Sequence, residues 1–164
     1  MKRAIALLPV LVLFLLGTAS PARAARPTRE PAPDFDFQFA AGDACPFAIG
    51  GTTTENNEYI TTFFDHDGNI TKQISSGLFV EQMTNLDTGA SITRNISGPG
   101  VYTFAEDGTV TLYASGTWLF VTVPGGPSPV YINSGREVDE ISPQGEITVL
   151  KQVGTQEDVC ATLS

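Results

Sequence analysis

Residues Phe63 to Ile70, FFDHDGNI, place two acids, the chain's one histidine and a glycine between aromatic and aliphatic neighbours. Such a set could hold a hard cation or poise a general base. A calcium loop of the EF-hand kind with its glycine at Gly68 needs an oxygen ligand five residues earlier and a glutamate six residues later. Those positions are Phe63 and Ile74, so the pattern fails at both ends. Asp67-Gly68 has instead the chemistry of a two-residue hairpin turn, whose central residues both take positive φ. His66 then reads as a solvated turn residue, and Asp65 with Asp67 offers at most a weak surface cation site. No resident metal or cofactor is expected.

Other catalytic arrangements are equally poorly supplied. No serine stands in a G-x-S-x-G elbow, and a single histidine excludes H-E-x-x-H. Glu106-Asp107 and Asp139-Glu140 are adjacent acids, but neighbouring strand residues point to opposite faces. Both pairs read as solvated charges, and no catalytic residue is assigned. Gly98-Pro99-Gly100 and Pro124-Gly125-Gly126-Pro127 lack the lysine and following helix of a phosphate loop. The second, extended by Ser128-Pro129, is the longest irregular connection and the first place to look for a lid or binding edge. Asn69-Ile70-Thr71 and Asn95-Ile96-Ser97 fit the glycosylation sequon, which matters only where the host glycosylates asparagine.

The compartment is read from the start of the chain. Lys2 and Arg3 precede an apolar run from Ala4 to Leu16, followed by small residues and by Ala22-Arg23-Ala24. Residues 1–24 therefore read as a signal peptide cut after Ala24, and the run is short of the roughly 20 residues a membrane-spanning helix needs. A secreted, extracellular protein with no membrane attachment after cleavage is expected. Removing Lys2, Arg3 and Arg23 from nine basic residues leaves six against 18 acidic ones, a net charge of −12. That surface repels nucleic acid and favours a soluble monomer. Cys45 and Cys160 are the only cysteines, and export makes a disulfide their expected state.

These groups must be carried by some scaffold. Residues 25–34, ARPTREPAPD, are rich in proline and charge, and read as a flexible leader. Residues 35–164 suffice for one domain. Their period is two: Val110, Leu112, Ala114, Gly116, Trp118 and Phe120 share one face of an extended segment. Similar β-branched and aromatic runs recur at 58–64, 70–74, 78–84, 91–96, 101–104, 130–133 and 147–153. Turn signals separate them at 66–69, 87–89, 106–108 and 142–145. An all-β, antiparallel up-and-down β-barrel of the lipocalin or cyclase kind is predicted, with a two-sheet β-sandwich as the alternative. The tail from Glu157 to Leu163 reads as a short helical turn covering one end.

The stretch DFDFQFAAGDACPF (Asp34 to Phe47), the segment Phe79 to Asn95 with TNLDTG at its centre, and the ending EDVCATLS together resemble an uncharacterised family of small secreted actinobacterial β-proteins. The resemblance spans most of the mature chain and implies export and the disulfide. It brings no catalytic residues.

Two functional readings follow. Small inward residues between larger ones at Ala114, Gly116, Trp118 and Phe120 suggest a ligand-binding wall in a non-catalytic module for a small apolar ligand, or else a surface for an extracellular partner. The alternative is a cyclase or isomerase built in a barrel mouth. It predicts that some inward carboxylate, such as Glu81 or Glu137, sits in a pocket with a raised pKa.

Overall fold

The computed structural model describes residues 26–121 and 130–164. The expected signal peptide and the loop at Pro124–Pro129 lie outside the described residues. The fold is all-β: β1 (Thr28–Pro31), β2 (Phe37–Phe39), β3 (Ile49–Phe64), β4 (Ile70–Asn85), β5 (Ser91–Asn95), β6 (Gly100–Phe104), β7 (Val110–Phe120), β8 (Tyr131–Ile141) and β9 (Ile147–Asp158), then the single helical turn α1 (Val159–Thr162). All pairings are antiparallel, in the order β1-β3-β4-β6-β7-β8-β9. β2 pairs with the start of β3, and β5 with the end of β4. The hairpin order expected for an up-and-down fold is present, but no pairing joins β1 to β9, and the sheet is not closed into a barrel.

Three hairpins close in the same way. In Asp65–Asn69, Ala105–Thr109 and Ser142–Glu146 the first residue's N–H donates to the last residue's carbonyl, at 2.9 Å in each case. The fourth position is a glycine: Gly68, Gly108 or Gly145, with φ of 87°, 86° and 84°. This corrects the two-residue turn expected at Asp67-Gly68. Asp67 is not at positive φ, and the loop has three residues with glycine alone in the left-handed region.

The leader expectation also needs correction. Thr28–Pro31 pairs with Tyr59–Thr62 of β3, and the Arg29 guanidinium lies 4.2 Å from the Tyr59 ring centre. Four residues of edge pairing and one cation–π contact hold a segment that carries no apolar period.

Glycines let the sheet curl. Gly116, Gly135 and Gly154 are register partners across β7, β8 and β9. Gly135 and Gly154 have φ of 146° and 140°, and a Cβ on either would collide with a backbone oxygen of the other strand, Val153 O or Ser134 O. Only glycine allows this approach and this conformation. The row is a crease about which three strands coil at once.

The curl brings the last strand towards the first hairpin, where the core lies. Ile49, Met83, Val130, Ile132, Val159 and Leu163 are buried there around the Cys45–Cys160 disulfide, whose Cα atoms are 5.4 Å apart. The predicted helical turn is α1, and it covers this end. Asn85 is buried beside it: its Nδ2 donates to Leu163 O at 3.0 Å, while its Oδ1 accepts the Asp87 and Thr88 amides. Arg94 on β5 grips Glu157 on β9 with two bonds of 2.8 and 3.0 Å. The Arg94 hydrogen bonds hold the Glu157 carboxyl below its ordinary range.

Candidate binding cleft

The concave face of the sheet is built from lateral rows that register alone defines. One row runs Ile60, Ser75, Gly100, Ala114, Glu137, Gln152; the next runs Thr62, Gln73, Tyr102, Leu112, Asp139, Val149. A bulge at Thr54 lets Thr53 and, after it, Asn56 and Glu58 share this face. Residues that look unrelated in sequence thus stand side by side.

A cleft of about 420 Å³ opens on this face. Its walls are Phe79, Trp118, Leu119, Ile60 and Ile96, and its polar lining is Glu58, Gln73, Ser75 and Tyr102. The rim is the connection from β1 to β2, Ala32 to Phe35. The size is typical of sites for small molecules.

Hydrogen bonds fix this rim. Asn56 Nδ2 donates to Ala32 O at 2.9 Å and to Asp34 Oδ1 at 3.0 Å, while its Oδ1 accepts the Glu58 amide. The Ala32 amide donates to Glu58 O. Further along, the Phe35 amide donates to Thr53 Oγ1, Thr53 N donates to Asp36 Oδ1, and Thr53 Oγ1 donates to Glu81 Oε2 at 3.1 Å. The rim is therefore anchored through Thr53 to a buried carboxyl.

Burial raises the acids of the concave side. The Glu58 carboxyl lies above its ordinary range because it is partly desolvated, a shift opposed by the Ser75 hydroxyl. Tyr102 is raised by desolvation and then by the charges of Glu58 and Asp139, so it stays a neutral phenol able to donate. Its ring leans over Gly100, where a Cβ would lie 3.3 Å from the Tyr102 ring. Glu137 and Asp139, 3% and 2% exposed, are neighbours on β8. Burial pushes the Glu137 carboxyl up to about 7, with the Asp139 charge adding to the shift and Asn133 and Gln152 opposing it. Asp139 is raised by burial as well.

The residues singled out from sequence separate here. Trp118 lines the cleft. Ala114 is buried between Gly100 and Glu137 in its row, and Phe120 is half-buried, pairing with Tyr131. The space beside Gly116 is filled by the crossing chain, since a Cβ there would meet Gly98 Cα at 3.3 Å. Glu81 and Glu137 carry raised pKa values near 7, yet neither is among the residues lining the cleft. The reading of Asp139 as a solvated charge is corrected: Asp139 is buried and its neighbour Glu140 exposed, the two on opposite faces.

The Asp65 carboxylate is occupied by its turn. Asp65 Oδ1 accepts the Asp67 and Asn69 amides at 2.8 and 2.9 Å, and Oδ2 accepts Asn69 Nδ2 at 3.0 Å. The Asn69 bonds hold the Asp65 carboxyl below its ordinary range. Among the described residues no group of three acids, histidines or cysteines is arranged to hold a metal ion.

Glu58, Gln73, Ser75 and Tyr102 were not found from sequence. The only signal was period-two placement of polar residues on strands, which ordinarily marks a solvated face. Comparison with family models, with curated proteins and with solved structures returns no match.

Proposed function

We propose that this protein is an exported, non-catalytic binding module, in which the curled sheet serves as a barrel-like cup for a small ligand. The observation that carries this reading is the cleft itself. Phe79, Trp118 and Leu119 supply apolar lining, and Glu58, Gln73, Ser75 and Tyr102 polar lining, to one cleft of about 420 Å³. Such a pairing of apolar surface with a few polar groups orients a small molecule without any nucleophile or metal. The N-terminal segment and the disulfide support export. The cyclase or isomerase reading would fall to Glu58, the cleft acid whose pKa burial raises, because Glu81 and Glu137 lie elsewhere on the inner face.

Trp118 is the only tryptophan in the chain, so its emission reports on the wall directly. Titration with phenylpropanol, an aromatic body with one neutral polar end, is expected to change that emission saturably. Trp118→Ala is expected to weaken binding in calorimetry about tenfold or more, given the area an aromatic wall contributes. An unsaturable response, or unchanged affinity in Trp118→Ala, refutes the reading.

A further inference from the structure

The inner surface of the sheet has acids and no free base. All six basic residues of the described chain are accounted for elsewhere. Arg29 is stacked on Tyr59 and the Lys72 ammonium lies 4.2 Å from the Phe63 ring centre; both rings follow inner-face residues, Glu58 and Thr62, and so point to the outer side. Arg136 and Lys151 pair with Ser115 and Val138, the residues between the inner-face positions of their partner strands, and both are exposed. Arg94 is held by Glu157, and Arg26 is exposed before β1.

The cleft is therefore lined by two carboxyls, Glu58 and Asp34, and by no cation. Tyr102, which lines it, feels the charge of buried Asp139, and Glu137 is buried beside Asp139 on β8. The rings of Phe79 and Trp118 line the same cleft as these acids. An aromatic ring presents negative charge density on its face and attracts a cation within about 6 Å. A partly desolvated carboxyl does so more strongly than an exposed one, since screening by water is reduced. An anionic ligand is repelled by Glu58 and Asp34.

We infer that the cleft selects a small organic cation, an amine joined to an apolar or aromatic body, whose ammonium sits between Glu58 and the aromatic wall. This rests on the binding reading above and names its ligand class. Aromatic walls and the lack of three convergent ligating groups fit an organic ammonium rather than a bare metal ion.

The test compares three probes of one shape, phenylpropylamine, phenylpropanol and phenylpropanoate, by calorimetry on the oxidised mature chain at neutral pH. The amine is expected to bind at least about tenfold more tightly than the alcohol, and the acid more weakly than the alcohol. Glu58→Gln is expected to shrink the amine-over-alcohol ratio several-fold, with near-ultraviolet circular dichroism confirming that the variant is folded. Alcohol binding with no preference for the amine, a preference for the acid, or an unchanged ratio in Glu58→Gln overturns the cation inference and leaves the cleft reading standing. Failure of all three probes to bind at millimolar concentration overturns both.

Discussion

Glu81 should make this fold less stable in neutral and alkaline solution than in mild acid. It is fully buried on β4; Oε2 accepts from Thr53, and Oε1 has no hydrogen-bond partner among the described residues. Burial pushes its pKa from 4.5 up to about 7, the charges of Asp36 and Asp34 adding to the shift against the Thr53 hydrogen bond. The folded chain thus keeps a proton that the unfolded chain has already released. The stability this proton confers is complete below the unfolded pKa of 4.5 and is lost as pH rises through about 7. A difference of about 2.5 units corresponds to roughly 3 kcal/mol. Glu81→Gln is neutral at every pH and keeps an oxygen for Thr53. It should match the wild type within about 1 kcal/mol near pH 4 and exceed it by roughly 3 kcal/mol near pH 8. Urea unfolding at both pH values measures this, with a midpoint difference of about 1–3 M expected at the higher pH. Subtracting variant from wild type cancels the other titrating acids. A difference that does not grow with pH, or a variant less stable near pH 8, refutes the assignment of Glu81 as a protonated buried carboxyl.

Three further outcomes follow from the geometry. Gly135→Ala forces positive φ on an alanine and drives its Cβ into the Val153 carbonyl, so thermal unfolding should show a loss of at least about 2 kcal/mol; a neutral effect would mean that the crease is not enforced. Reducing the Cys45–Cys160 bridge, which spans a sequence separation of 115, should lower stability by about 4–5 kcal/mol in urea unfolding, and an unchanged midpoint would remove the disulfide from the account of stability. Asn56→Ala releases Ala32 and Asp34 together. Hydrogen exchange at the Ala32 amide should accelerate well beyond that of the β7–β8 ladder, at a global loss of only about 1 kcal/mol.

The scaffold was legible because its signals are local. The glycines at 68, 108 and 145 each end a run of alternating residues, and each closes a hairpin. The Cys160 turn was legible because the tail from Glu157 to Leu163 carries few β-branched residues. β8 was legible only at its start, because SGREVDE carries charge at positions that usually face water. Its inward acids depend on pairings that join Ala114 to Glu137 and Leu112 to Asp139, and no local pattern encodes them. β3 hid its inner face for another reason: the bulge at Thr54 shifts the alternation by one residue, so strict period two assigns Asn56 and Glu58 to the wrong side. The separate runs at 70–74 and 78–84 belong to one continuous β4, in which Gly77 is a mid-strand residue at φ 145°.

A sheet of this kind could have buried an all-apolar inner face, and replacing paired buried acids by apolar residues of like volume is often stabilising. Here the apolar core is confined to one end, where the disulfide, Asn85 and the Arg94–Glu157 pair already fasten the chain. The rest of the concavity holds Glu58, Tyr102, Glu137 and Asp139, at a cost in desolvation that their raised pKa values register. Burying acids there costs stability, so packing alone does not explain their placement. Positions where local rules for folding are broken without structural return are where function is expected. The cleft lies at that boundary, with the apolar wall on one side and the acids on the other.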